Sequence, residues 1–173
     1  MLRLDYPLRG KDIQRIVDCN LIEYSQLYNT DNLDELFVND CCVILYRSSP
    51  KVAHWCCLLR NKFGIEFFDP YGELIDSQID EVKSVNPKYG NNYYHGKQLI
   101  KLLIESKYKC LHYNEFRLQK EAKNINTCGR HVAVRLLFKN LSLEQYVKHL
   151  LTMYPNQSPD EIVLQITNKY FVS

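Results

Sequence analysis

Apolar residues recur at near-helical spacing over residues 11–28, KDIQRIVDCNLIEYSQLY, where Ile13, Ile16, Val17, Leu21 and Tyr24 share a face. That spacing predicts a helix. Asn29-Thr30-Asp31-Asn32 breaks it, and residues 33–37 read as a short helical turn or loop. The period then changes. Residues 41–46, CCVILY, form an unbroken apolar run bounded by Asp40 and by Ser48-Ser49-Pro50, the pattern of a strand buried on both faces. Residues 54–60 and 65–68 predict two further strands joined through Asn61-Lys62-Phe63-Gly64 as a hairpin, and Asp69-Pro70-Tyr71-Gly72 ends the second. The polar stretch 76–98, with Asn86-Pro87 and Gly90-Asn91-Asn92, reads as loop with a short helix.

Downstream, residues 97–106 are helical in pattern and residues 110–113 suggest another strand. Thr127 or Asn126 can cap a helix running from Cys128 to Lys139. Ser142 to Gln145 is a capping box, and Ser158-Pro159-Asp160-Glu161 is a second with proline at the first helical position. Helices thus flank a strand-rich centre, which defines an α+β class. No repeat or linker interrupts the chain, so residues 1–173 are expected to form one domain.

Composition narrows the function classes. At 173 residues, with 46% hydrophobic and 24% charged positions, the chain can bury a sizeable core. A net charge of +2 is too mild to argue for nucleic acid. Lys97, Lys101, Lys107 and Lys109 could still face DNA, although a solvated helix face is the simpler reading. No apolar run has the length of a signal sequence or membrane span, so no membrane association is expected. Seven cysteines include the adjacent pairs Cys41-Cys42 and Cys56-Cys57, whose members would point to opposite faces of a strand. No CxxC spacing occurs. The thiols therefore read as buried small hydrophobes in a reducing compartment, and no structural zinc site is expected.

One cysteine is placed differently. Cys128 falls at the predicted N-terminus of a helix with a largely apolar body, where free backbone N–H groups and the dipole favour a thiolate. Gly129 beside it would let a substrate backbone approach. The plain alternative is one more buried thiol. A thiolate needs a base, and His131 is nearest in sequence, but its side chain would lean over the first turn where substrate must fit. It reads as a packing or surface residue. His54, next to the only tryptophan, Trp55, is better placed. A hairpin turn centred between Asn61 and Lys62 sets His54 opposite Asp69, and a turn centred one residue later makes them diagonal neighbours. Either register keeps them on one face, with Cβ atoms about 4.5–8 Å apart. A carboxylate there can orient an imidazole and stabilise its charge. An odd-length loop would separate them. An oxyanion would need donors, for which the Cys128 N–H and the Gln119 side chain, nine residues upstream, are candidates.

The order His54-Trp55, Asp69-Pro70-Tyr71-Gly72, Gln119, Thr127-Cys128-Gly129 resembles the adenain-like cysteine peptidases and the related SUMO-specific proteases. It is most similar to the predicted maturation proteases of virophages and polinton-like elements, which share an Asp-Pro-Tyr-Gly stretch and an Asn-x-x-Thr-Cys-Gly-Arg-His motif. The resemblance covers residues 40–140. The spacing from Gln119 to Cys128 is longer than the family's, so residues 120–127 must bulge. The resemblance implies a papain-like fold and a Cys128–His54–Asp69 triad, with Gln119 and the Cys128 N–H at the oxyanion. Trp55 would shield the His–acid pair or line the substrate groove with Gly129. The implied activity is an endopeptidase cutting capsid precursors after glycine, without metal or organic cofactor. It would work as a monomer in the virion or host cytoplasm, with a DNA or peptide activator as one possibility. Removal of a ubiquitin-like modifier by the same triad, and a non-catalytic binding domain on the same fold, are the alternatives.

Overall fold

A computed structural model describes residues 3–47, 52–77, 79 and 97–171. In chain order the elements are α1 (Gly10–Ile16), β1 (Asn20–Glu23), two 3-10 turns (Tyr24–Asn29 and Leu33–Leu36), β2 (Cys41–Arg47), β3 (Ala53–Asn61), β4 (Gly64–Phe68), α2 (Gln98–Glu105), β5 (Leu111–Tyr113), α3 (Cys128–Leu137), α4 (Leu143–Met153) and α5 (Pro159–Asn168). The fold is α+β: a small mixed sheet, in the order β1-β2-β3-β4-β5, flanked by helices. The outer pairs β1·β2 and β4·β5 are parallel, and the inner pairs are antiparallel.

The expected helix over 11–28 is corrected. It stops at Ile16, and Val17 is already extended, with its N–H donating back to Ile13 O. Residues 20–23 instead pair with β2, Leu21 against Val43 and Ile22 against Ile44. An apolar pair at i and i+1 suits a strand covered on both faces better than one helix stripe. The stretch predicted as loop and short helix lies mostly outside the described residues, in 78 and 80–96. The turn before β2 uses Asn39 and Asp40, both at positive φ (50° and 64°), while Val38 and Cys41 exchange backbone hydrogen bonds. Asparagine and aspartate tolerate that region better than other non-glycine residues.

β2 is buried on both faces, as its sequence predicts. Cys41, Val43 and Leu45 join Cys57, Leu59 and Phe68 under α1, α3, α4 and α5. Cys42, Ile44 and Tyr46 join Cys56, Leu58 and Phe67 under the 3-10 turns and α2. Each adjacent cysteine pair is thus split between the two cores. All seven thiols are free, and only Cys110 is exposed. Cys19 is pushed up to about 12 by burial, and burial also raises the thiols of Cys41, Cys42, Cys56 and Cys57.

α3 is buried along nearly its whole length, including the charged Arg135. The Arg135 guanidinium meets the Glu66 carboxylate of β4 in two parallel bonds, Nε to Oε1 at 2.7 Å and Nη2 to Oε2 at 2.8 Å. Its Nη1 and Nη2 also donate to Phe138 O and Leu141 O, at 2.8 and 2.9 Å, and the Tyr146 ring lies 4.9 Å away. Desolvation of both charges is offset only because nearly every donor is used. Replacing one partner strands the other. Glu66→Ala or Arg135→Ala is expected to cost about 3–5 kcal/mol in urea unfolding. A loss below about 1 kcal/mol, the range of exposed pairs, would show that the pair does not hold helix to sheet.

Candidate active site

The β3–β4 register decides where His54 and Asp69 stand. Cys57 pairs with Phe68 and Asn61 with Gly64, so the turn is the two residues Lys62 and Phe63. This is the later-centred register. It makes Asp69 a diagonal neighbour of His54, and His54 Nε2 lies 2.9 Å from Asp69 Oδ1. Continued beyond Phe68, the same register sets Asp69 opposite Cys56, whose Sγ donates to Asp69 Oδ2 at 3.3 Å. The Tyr71 N–H donates to Asp69 Oδ1 at 2.7 Å. Asn114 fixes the Asp69 backbone from both sides: its Oδ1 accepts the Asp69 N–H at 3.0 Å, and its Nδ2 donates to the Asp69 carbonyl at 2.6 Å. The aspartate is thus 1% exposed yet has its position and its lone pairs spoken for.

With Nε2 taken by Asp69, Nδ1 is the nitrogen left to His54 for the thiol. Cys128, the first residue of α3, stands near enough to act on the titration of the imidazole. Burial acts against charging His54. The hydrogen bonds to Asp69 and Cys128, with their negative charges, outweigh it and push the imidazole up to about 10. The Tyr71 ring stacks on His54 with centroids 4.9 Å apart and planes 21° from parallel. Burial and the neighbouring Cys128 charge both raise the Tyr71 phenol. Gly72 closes the turn at φ 72°, with its N–H on Asp69 O, and an added Cβ would stand 2.7 Å from Phe116 backbone. Only glycine fits there.

Gln119 is buried beside this group. Its backbone N–H donates to Pro70 O, and its Nε2 reaches the Tyr71 hydroxyl at 3.0 Å, while its Oε1 has no partner. The long spacing to Cys128 is accommodated by a turn at Ala122–Ile125 and by one carboxylate that pins both ends of the loop. Asp160, at the start of α5, accepts the Lys120 N–H at 3.0 Å and the Thr127 hydroxyl, and lies 3.0 Å from His131 Nε2. Burial alone would raise Asp160, but the bonds from His131, Thr127 and Lys120 hold it below the usual carboxylate range. His131 is accordingly an internal packing residue, fully buried, and not at the surface. Thr127 is the N-cap residue by position but makes no side-chain cap bond, because its hydroxyl serves Asp160.

The two residues expected at the substrate groove also serve the packing of the fold. A Cβ on Gly129 would meet Trp55 Cδ1 at 3.1 Å, Leu8 Cβ at 3.2 Å and Ile13 Cδ1 at 3.3 Å. The glycine therefore lets α3 pack against its own neighbours. Trp55 is buried, and its indole N–H donates to Leu8 O at 3.1 Å. Among the described residues, one grouping has metal-ligand spacing, His54 with Cys56 and Asp69, and these are the atoms already bonded to one another. Lys97, Lys101, Lys107 and Lys109 are all exposed, and Lys107 Nζ pairs with Asp34 at 2.7 Å. Among the described residues no helix is long and apolar enough to cross a membrane.

Sequence reasoning located His54, Asp69, Gln119 and Cys128, which the fold brings to one end of the sheet, where β3 begins and β4 ends. It passed over Asn114 and Asp160, and took Tyr71 only as a turn residue. Asp160 was visible solely as the third residue of a capping box, and Asn114 had no local signal.

The chain has a sequence relative of viral origin. The uncharacterized protein V9 of Sputnik virophage is 35% identical over 166 residues, covering 92% of this chain and 93% of that protein. The chain belongs to the same virophage protein family. No family model matches the chain. The central domain of the uncharacterized Lpg1148 protein from Legionella pneumophila aligns over 94% of this chain and 95% of that domain, with 11% identity and a TM-score of 0.38.

Two titrations follow from these contacts. The folded His54 pKa lies above its unfolded value of 6.5, so its contribution to stability is complete below that pH and is lost as pH rises through about 10. NMR titration of the imidazole should give a midpoint near 10, falling in Asp69→Asn and in Cys128→Ala. A wild-type midpoint near 6.5 would contradict the contacts described. Asp160 has the opposite sign: its contribution is present above 3.8 and is lost as pH falls through its lower folded value. Asp160→Asn should therefore cost about 1–3 kcal/mol at neutral pH, with the difference narrowing in acid.

Proposed function

We propose that this protein is a cysteine endopeptidase of papain-like, adenain-type fold, a virophage maturation protease acting on capsid precursors. The observation that supports it most is the single imidazole of His54, held by Asp69 on one nitrogen with the Cys128 thiol at hand for the other. A raised imidazole beside a thiol at a helix start favours the thiolate–imidazolium pair, the nucleophilic form of cysteine.

In this reading Cys128 Sγ attacks the scissile carbonyl carbon and the carbonyl π electrons move to oxygen. The oxyanion is received by the Cys128 N–H, which as the first helical residue has no intrahelical acceptor. The Gln119 amide is the second donor, turning from the Tyr71 hydroxyl it now meets. His54 passes its proton to the leaving amine, and an acyl-thioester remains. Water then attacks the thioester with His54 as base, releasing the carboxylate product and the thiol. Asp69 keeps the imidazole oriented and stabilises its charge throughout. Tyr71, flat against the ring, prevents His54 from swinging out of line.

Cys128→Ala and His54→Ala should each abolish hydrolysis of a capsid-precursor peptide containing glycine at the cleaved bond. Asp69→Asn should lower kcat by orders of magnitude, with KM little changed. Iodoacetamide at neutral pH should label Cys128 ahead of the other thiols. Uniform labelling, together with hydrolysis surviving in Cys128→Ala, would refute the peptidase reading. Cleavage of a ubiquitin-like fusion in preference to the capsid precursor would assign the same triad to an isopeptidase instead.

A further inference from the structure

A cavity of about 300 Å3 lies against α3. None of His54, Asp69 and Cys128 lines it. Its distinguishing member is Arg130, which is 3% exposed. The guanidinium donates from Nη1 to two neutral acceptors, Thr167 Oγ1 at 2.6 Å and Asn168 Oδ1 at 3.0 Å. Its Nε is buried and has no acceptor. Among the described residues no carboxylate lies within ion-pair distance of it. The contrast is with Arg135 five residues later, which is also buried and is matched by Glu66. A buried cation with no direct ion pair, feeling only the more distant charge of Asp12 on the same cavity, is costly enough that a ligand supplying a closer anion is favoured.

The remaining lining says what ligand fits. Leu8, Tyr6 and Phe171 give apolar and aromatic walls. Arg3 is at the rim, but its guanidinium is already paired with Asp5 at 2.8 Å. Asp12 also faces the cavity, with Oδ2 accepting the Arg9 N–H at 2.9 Å, and it opposes any anion placed there. A dianion such as a phosphate monoester would suffer that repulsion twice over within apolar walls. A single planar carboxylate matches the guanidinium fork and leaves an attached apolar group for the walls. The volume is at the small end of ligand pockets, about 300–1,000 Å3, enough for a group the size of one residue.

We propose that this cavity is a binding site for a carboxylate borne on an apolar group, as in a small aromatic acid or the C-terminal residue of a peptide, with Arg130 as its anchor. The site is independent of the peptidase reading and would stand if that reading failed.

The test is calorimetric titration of the full chain with four probes. These are N-acetyl-phenylalanine, its amide, a short peptide ending in phenylalanine with a free carboxylate, and the same peptide amidated. At least one acid should bind, on the order of tenfold more tightly than its amide, the size expected for a charge-assisted hydrogen bond. Tight binding by the peptide acid alone identifies a chain terminus as the source, and equal binding by both acids identifies a free small acid as sufficient. Asp12→Asn retains an acceptor for the Arg9 N–H and removes the opposing charge, so it should tighten acid binding several-fold. Arg130→Gln should abolish the preference for acid over amide. Should that variant fail to fold, the acid–amide contrast and the Asp12→Asn gain decide the matter on folded protein. The proposal is overturned if acids and amides bind alike, if neither acid binds up to millimolar concentration, or if Asp12→Asn weakens acid binding.

Discussion

Glu66 and Arg135 form an ion pair with almost no solvent around it, and the geometry of the candidate site hangs on where that pair holds α3. Glu66 lies three residues before Asp69 on the chain leaving β4, and Arg135 lies two turns after Cys128 on α3. One bidentate contact therefore locks the strand that delivers the aspartate to the helix that delivers the cysteine. Apolar packing between helix and sheet could slide by a fraction of a residue at small cost, since dispersion is not directional. A guanidinium–carboxylate fork cannot, because both donor–acceptor lines break together. The sheet supplies the remaining constraint: the two-residue turn at Lys62-Phe63 fixes the register that brings His54 onto Asp69.

Asp160 does for the loop what the ion pair does for the helix. Residues 120–127 make few backbone bonds among themselves, and the Asn126 N–H goes to Leu4 O in the N-terminal segment. A carboxylate that accepts from Lys120 at one end and Thr127 at the other closes this loop as a covalent staple would, but by way of α5. The sequence distance between Gln119 and Cys128 is thereby decoupled from their separation in space. The role that the spacing alone denied to His131 as a base is also explained, since its ring is the third arm of the same clamp.

What could be read along the chain was local in origin. The strand β2, the hairpin and the capping boxes of α4 and α5 declare themselves through a short apolar run, a turn or an i to i+3 pair. The nearness of His54 to Asp69 was legible because a hairpin relation needs only a register count, and the place of Cys128 because it follows a helix-start signal. β1 was read as helix because its identity rests on pairing with β2 some twenty residues on. Glu66, Asp160 and Asn114 depend on partners 69, 33 and 45 residues away, and a lone acidic or amide residue announces no such partner. At Gly129 the neighbours that crowd the position, Trp55, Leu8 and Ile13, are set by tertiary packing that the local sequence does not announce.

The division of the adjacent cysteines between two cores has a chemical consequence of its own. Five thiols are shut into apolar surroundings where burial keeps them protonated. Neither member of an adjacent pair can close a bridge with its neighbour without turning the strand inside out. The folded chain is thus rich in sulfur yet offers oxidants only Cys110 at the surface. Unfolding would expose all seven at once, so that exposure to air during refolding, not in the native state, is when this protein is most prone to scrambled cross-links.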